Sequence, residues 1–407
     1  MDDVVVVGAG LAGARTCQEL RARGYAGRLT LLGAEPHRPY DRPPLSKEFL
    51  RGGTDDTSLE PDPVGLDGVD LRLGVSATAL VPAETGEPVT VRTTEGDLRA
   101  DAVVLATGAV PHRLQGDPSG DTVALHLRTV DEARVLRDRI RAGGELAIVG
   151  AGWIGAEVAT AAAAAGCAVT VLEAGPAPVA AILGEEVGRQ LAGWYAEAGV
   201  TLRTGTPVAG VDSHGVLLAG GQGERVRAGT VLVAVGVAPR LGWLAGSGVE
   251  VDDGVVTDAA GRTSVPGVYA VGDCARRWSP RAGRHVRHEH WDDALHQPEV
   301  VAAAVLGQPG GYDPVPYVWS EQFGRYVQWV GWRDGPPAVW RGDPASGHGW
   351  AACWLDRAGR LAGFLAVDRH RDLVQARKAI AAGAVADPAL LADPDVPVRA
   401  AVAVRTG

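Results

Sequence analysis

The chain has 407 residues, of which 46% are hydrophobic and 22% charged, a balance that can bury a real core; at roughly 150 residues per domain it predicts two or three domains. Thirty-nine basic and 49 acidic residues leave a net charge of −10, which argues against general nucleic-acid binding, and no apolar run approaches the roughly 18 residues of a membrane helix. Four cysteines with no CxxC pair exclude a disulfide scaffold and a cysteine zinc site. With no signal peptide expected before Val4, the reading is a cytoplasmic protein.

In chain order, the first informative segment is VVVVGAGLAG, Val4–Gly13. Four β-branched residues run into Gly8, Gly10 and Gly13, and a helical pattern follows through Ala14, Cys17 and Leu20. A second apolar strand, Leu29–Leu32, leads to Glu35, 22 residues after Gly13. This is the strand–GxGxxG–helix–strand–acid unit of a dinucleotide-binding fold. Gly8 permits the tight turn, Gly10 lets a pyrophosphate approach the backbone, Gly13 lets the helix pack on the strand, and the acid can bind a ribose. The helix N-terminus offers free N–H groups to the phosphates.

The unit returns in LAIVGAGWIG, Leu146–Gly155, with Gly150, Gly152, Ile154 and Gly155 in the turn and Glu157 in the first helical turn. The strand Val169–Leu172 then ends at Glu173. A single recurrence some 142 residues on is no solenoid; it predicts two different dinucleotides, FAD and a nicotinamide. Glu173 can accept from both ribose hydroxyls of NADH, and no basic residue follows before Arg189 to receive a 2′-phosphate.

Three shorter segments resemble the two-dinucleotide flavoproteins: VVLATG with Thr107 and Gly108, VLVAVG ending at Gly236, and TSVPGVYAVGD ending at Gly272 and Asp273. In those proteins the last segment returns to the FAD domain. The expected fold class is therefore α/β, with two Rossmann-like dinucleotide-binding domains in a glutathione reductase-like arrangement, the NAD domain inserted in the FAD domain. The FAD domain takes residues 1–112 and 242–318, the NAD domain 113–241, and a small α+β C-terminal domain 319–407. In the last, alternation over Tyr326–Trp332, Gly349–Leu355 and Leu361–Val367 predicts strands, and a helix is expected near Asp372–Ala382.

PYDRPPLSK (Pro39–Lys47), LRT (Leu127–Thr129), HEHWDDALHQ (His288–Gln297), PYVWSEQ (Pro316–Gln322) and GFLAVDRHRDLVQARKAI (Gly363–Ile380) carry a more specific resemblance. The chain resembles the oxygenase-coupled, NADH-dependent ferredoxin reductases, the putidaredoxin reductase-like flavoproteins that serve bacterial cytochromes P450 and Rieske dioxygenases. Arg240 and Asp293 stand where that family often has Asn. The resemblance implies that Glu35 binds the adenosine ribose of FAD, and that Arg42 flanks its phosphate or adenine. Arg128, Asp273 and the backbone near Ala77 and Trp291 complete the site. Lys47 is expected beside the isoalloxazine, paired with Glu157, which helps hold the nicotinamide. Trp319 is expected at the flavin without being an obligatory electron relay.

The residues exclude some chemistry. A disulfide reductase of this architecture needs a reactive cysteine early in the chain, where PYDRPPLSK has none, so electrons must leave the flavin directly. His285, His288, His290 and His296 form no HExxH motif and imply no metal. The expected partner is a [2Fe–2S] ferredoxin, docking on Arg276, Arg277, Arg281, Arg284 and Arg287, which have no acid between Asp273 and Glu289. Arg369, Arg371, Arg377 and Lys378 are the second candidate cluster. No nucleic acid or membrane is expected, and the protein is read as a monomer or homodimer. Two other readings stay open: an NADH oxidase or reductase with a small-molecule acceptor, and a redox-sensing interaction protein of the apoptosis-inducing-factor type.

Overall fold

The computed structural model describes residues 1–59, 66–82, 87–114, 124–212, 214–220 and 223–404. The chain divides into two compact units. The first comprises Met1–Asp41, Asp56–Val110 and Val237–Asp313, the second Arg42–Asp55, Pro111–Gly236 and Pro314–Gly407.

In the first unit a five-stranded parallel sheet runs in the order Val268–Ala270, Ala102–Leu105, Asp3–Val7, Arg28–Gly33, Asp70–Leu73. The valine run makes the central strand because it must be apolar on both faces. Val4 and Val6 pack with Cys17, Leu20, Val301 and Ala302 on the helical side. Val5 and Val7 pack with Leu80, Val89 and Val91 on the other. That second face is covered by an antiparallel meander, Ala77–Val81, Val89–Thr93 and Gly96–Ala100.

The second unit repeats the plan. Its parallel sheet runs Thr201–Arg203, Ala168–Leu172, Glu145–Val149, Thr230–Val233, Ala124–Leu125. Leu146 and Ile148 face the helix Trp153–Ala164, and Ala147 and Val149 face the meander residues Val211, Val216 and Leu218. The alternation at period 2 is the same in both sheets.

Residues 314–404 of this unit carry a five-stranded antiparallel sheet: Tyr317–Gln322, Arg325–Gly331, Leu361–Val367, Trp350–Leu355, Val339–Arg341. The helix His370–Ala381 packs on one face through Leu373, Ala376 and Ile380. The expected strands and helix of this region lie within a residue or two of those found. Arg341, buried at 1% exposure, pairs with Asp372 at 2.9 Å and donates to the carbonyls of Leu391, Asp393, Pro394 and Val396. One guanidinium thus holds the segment 391–396. Among the described residues no helix is long and apolar enough to cross a membrane.

Candidate functional site

The two fingerprints have the same internal geometry. Gly8 has φ +116°, and a Cβ there would sit 2.2 Å from the Ala106 carbonyl; Gly150 has φ +104°, and its Cβ would sit 2.4 Å from the Ala234 carbonyl. Only glycine allows both the backbone and the approach. A Cβ on Gly13 or Gly155 would lie 1.9 or 2.0 Å from the carbonyl of Gly8 or Gly150, so the helix seats directly on the turn. A Cβ on Gly10 or Gly152 would meet nothing within 4 Å. The middle glycine alone opens onto free space at the helix N-terminus, where a pyrophosphate fits.

The first unit holds the open glycine together with Glu35, Ala77, Thr107, Gly108, Gly272, Asp273 and Trp291 of the residues expected at FAD, whereas Arg42 and Arg128 belong to the second unit. Tyr40 donates to Glu35 at 2.6 Å, so the PYDRPPLSK segment steadies the acid expected at the ribose. Trp291 Nε1 donates to Asp41 at 2.7 Å, tying that segment to the helix Trp291–Val305. Gly74 and Val75 donate to the carbonyls of Glu35 and Gly33, which brings the approach to Ala77 alongside. The parallel strands Ala102–Leu105 and Val268–Ala270 deliver Thr107, Gly108, Gly272 and Asp273 to one end of the sheet. Gln297 accepts from the Gly272 N–H at 2.9 Å, while its buried Nε2 has no partner. A buried amide left with an unused donor fits a site that expects an oxygen-rich ligand, and FAD is such a ligand.

In the second unit both oxygens of Glu173 are engaged by the fingerprint turn and the following loop, from Ala151 N–H at 2.8 Å and Gly175 N–H at 2.7 Å. The carboxylate is held beside Gly150 and Gly152, where an adenosine ribose would come. Ile154 is exposed at 41%, at the start of the helix. Gly236 is also exposed and accepts from the His112 N–H at 2.9 Å. This geometry fits a second dinucleotide.

Lys47 and Glu157 do meet. Arg42 caps a 3₁₀ turn, Pro43–Ser46, and Lys47 precedes a short helix, Glu48–Arg51, anchored by buried Phe49 and Leu50. Lys47 Nζ lies 3.0 Å from Glu157 Oε2 and 3.2 Å from the Pro43 carbonyl. Lys47 is 8% and Glu157 3% exposed, so the pair is nearly dry. Ser46 also donates to Oε2, and Ser320 donates to Oε1 at 2.5 Å. A small pocket lined by Ser46, Lys47, Arg51, Glu157, Thr160, Ala161 and Glu321 opens over the pair. Arg42 donates to the Arg128 carbonyl. The Arg128 N–H is in turn held by Glu132, whose side chain belongs to the Thr129 capping box. Trp319 is half-buried on the sheet edge and stacks on Tyr317, with centroids 5.9 Å apart and planes at 22°.

Ser46, Ser320 and Gln297 were not singled out from sequence. Each sits inside a quoted motif, and Ser46 and Ser320 directly adjoin Lys47 and Trp319, but a lone serine carries no periodicity or spacing that marks it.

The basic run expected to dock a partner needs correction. Arg277 is 2% exposed and pairs with Asp293 at 2.8 Å. Arg276 pairs with Asp252, and Arg287 with Asp253 and Glu289. The neutralising acids Asp252, Asp253 and Asp293 lie outside the run, so a count of local charge missed them. Burial pushes the Asp293 carboxyl up, but His288, Arg277 and Tyr312 outweigh it and hold it below the usual carboxylate range. Arg281 and Arg284 remain exposed.

All four cysteines are free, and burial pushes the Cys17 and Cys353 thiols up to about 12. Burial also raises Cys167 and Cys274, so none has the lowered pKa of a reactive thiol.

Comparison with known proteins agrees with this geometry. Residues 2–298 match the pyridine nucleotide-disulphide oxidoreductase family, and residues 317–402 match the reductase C-terminal family. The ferredoxin–NAD(+) reductase component of the anthranilate 1,2-dioxygenase system of Burkholderia cepacia is 36% identical over 97% of this chain and 98% of its own. The chain belongs to the ferredoxin–NAD(+) reductases of oxygenase systems. Among solved structures, Fdr9 is 48% identical with a TM-score of 0.90, covering 98% of this chain and 99% of its own. The covalent putidaredoxin reductase–putidaredoxin complex contains a chain 30% identical with a TM-score of 0.89, covering 98% and 97%. The α/β fold class and the oxidoreductase reading drawn from the sequence agree with these matches.

Proposed function

We propose that this reductase binds FAD in the first unit and NADH in the second, and that it reduces a [2Fe–2S] ferredoxin supplying an oxygenase. Bound FAD would supply the step from a two-electron donor to one-electron acceptors. The observation that carries the reading is the buried Lys47–Glu157 pair, in a chain whose four cysteine thiols are all pushed up by burial. Glu157 holds Lys47, and Lys47 keeps its ammonium fixed in a dry setting where charge acts strongly. Gly10, Glu35, Ala77, Thr107, Gly108, Asp273 and Trp291 of the first unit hold the flavin nucleotide. Gly152, Ile154, Glu173 and Gly236 hold the nicotinamide nucleotide.

The docking surface in this reading is the helix His370–Ala381 rather than the 276–287 run. Arg371, Val374 and Lys378 are exposed on it, and Arg371 and Lys378 have no ion pair among the described residues. The Arg377 guanidinium lies 5.0 Å from the Tyr317 ring centroid, and Tyr317 stacks on Trp319. A basic face joined by contact to Trp319 suits an acidic ferredoxin.

The test is anaerobic reduction of the purified yellow holoprotein by NADH, followed by addition of a [2Fe–2S] ferredoxin. The flavin band should bleach, with no new thiols on titration, and ferredoxin should reoxidise it faster than oxygen does. A dithiol formed on reduction would overturn direct transfer. Faster turnover with oxygen or a quinone would favour the small-molecule reading.

A further inference from the structure

Glu157 is the only carboxylate on the helix Trp153–Ala164. A buried carboxylate with a single ammonium partner still has an oxygen to satisfy, and leaving it bare is costly. Ser46 and Lys47 both go to Oε2. Oε1 takes its hydrogen bond from Ser320, which is fully buried.

Ser320 is not free to turn away. Its Oγ accepts from Gln322 Nε2 at 3.1 Å, which directs its own hydrogen to Glu157. Ser320 and Gln322 are two residues apart on one strand and so share a face. That strand is pinned by its ladder, with Ser320 opposite Val327 and Gln322 opposite Arg325. The relay Gln322–Ser320–Glu157–Lys47 therefore runs from the C-terminal sheet to the fingerprint helix and on to the lysine.

We infer that Ser320 is a positioning residue for flavin reduction by NADH: its hydroxyl, oriented by Gln322, fixes Glu157 in the rotamer that holds Lys47. The inference rests on the ferredoxin reductase reading above. Ser320 works through Glu157, so its loss slows the reduction step without emptying the flavin site or weakening NADH.

The experiment is anaerobic stopped-flow reduction of the holoenzyme over a range of NADH concentrations. Ser320→Ala should lower the limiting rate constant about ten-fold, the effect of one charge-assisted hydrogen bond. FAD content and the NADH dissociation constant should stay within about two-fold of wild type. Ser320→Thr and Ser320→Val have nearly the same shape and differ in the hydroxyl; Thr should recover most of the rate and Val should not. A wild-type limiting rate in Ser320→Ala overturns the inference. So does equal behaviour of Thr and Val, which would mark a packing role. A wild-type enzyme that NADH fails to reduce overturns both this inference and the reading beneath it, and only that result reaches the latter.

Discussion

The backbone N–H of Phe323 donates to Thr160 Oγ1 at 2.9 Å, joining the tip of a C-terminal hairpin to the second fingerprint helix. Phe323 and Gly324 have φ of +49° and +76° in a two-residue loop. Such loops favour Asn-Gly, and a bulky residue in the left-handed region is strained. What holds Phe323 there is its surroundings. Its ring lies 4.7 Å from that of Tyr195, and Arg325 donates to its carbonyl while pairing with Glu197. The tip places Ser320, three residues earlier, on Glu157.

Thr160→Val keeps the shape and removes the acceptor, leaving a backbone donor unpaired. The expected cost is about 1–3 kcal/mol in denaturant unfolding. Because the same tip carries Ser320, flavin reduction should slow as well. Unchanged stability together with an unchanged reduction rate would show that the tip is held by packing alone.

The glycines of each fingerprint should respond in opposite ways. A Cβ on Gly155 would lie 2.0 Å from the Gly150 carbonyl, whereas one on Gly152 meets nothing within 4 Å. Gly155→Ala should therefore destabilise the fold, by an amount on the order of an overpacked core position, about 1–3 kcal/mol. Gly152→Val should fold and stay yellow, yet be reduced slowly because the nicotinamide nucleotide can no longer approach. Calorimetry and stopped-flow reduction separate the two. Normal NADH kinetics in Gly152→Val would remove the second fingerprint from the coenzyme site.

Both dinucleotide modules were legible because their signals are local and periodic. Val4–Val7 must be apolar on both faces, and Gly8 and Gly150 stand where a side chain would hit a carbonyl. The Lys47–Glu157 contact spans 110 residues, and no spacing rule predicts it; only the family resemblance brought the two together. The basic run carries less free charge than its sequence suggests, for the complementary reason. Asp252, Asp253 and Asp293 neutralise it from other segments, and charge counted along the chain does not see charge folded against it. Asp293, a departure from the family pattern, is matched by buried Arg277.

NADH should be preferred to NADPH by at least about ten-fold in kcat/KM. Glu173 presents a carboxylate already fixed by the Ala151 and Gly175 N–H groups. A 2′-phosphate would bring like charge against it. Arg203 lies on the neighbouring strand but is committed to Glu224 at 3.0 Å. Glu173→Gln should narrow the preference by weakening NADH and relieving NADPH together. Equal kcat/KM for the two coenzymes in the wild type would contradict the assignment.

Ferredoxin reduction should fall steeply as salt rises, because a chain of net charge −10 needs a local positive face to attract an acidic partner. Steering by such a face raises association rates by ten-fold or more and is screened over about 8–10 Å at physiological salt. Reduction of ferricyanide by NADH needs no docking and should change much less. Arg371 and Lys378 are exposed on the helix that carries Arg377 over Tyr317, so Arg371→Glu and Lys378→Glu together should lower ferredoxin turnover several-fold at low salt and spare ferricyanide. Arg284→Glu, on the exposed tip of the largely neutralised run, should leave both acceptors within about two-fold. The opposite outcome, with Arg284 sensitive and Arg371 and Lys378 silent, would return the docking surface to the first unit. Equal loss with both acceptors would mean that the helix supports the fold rather than the partner.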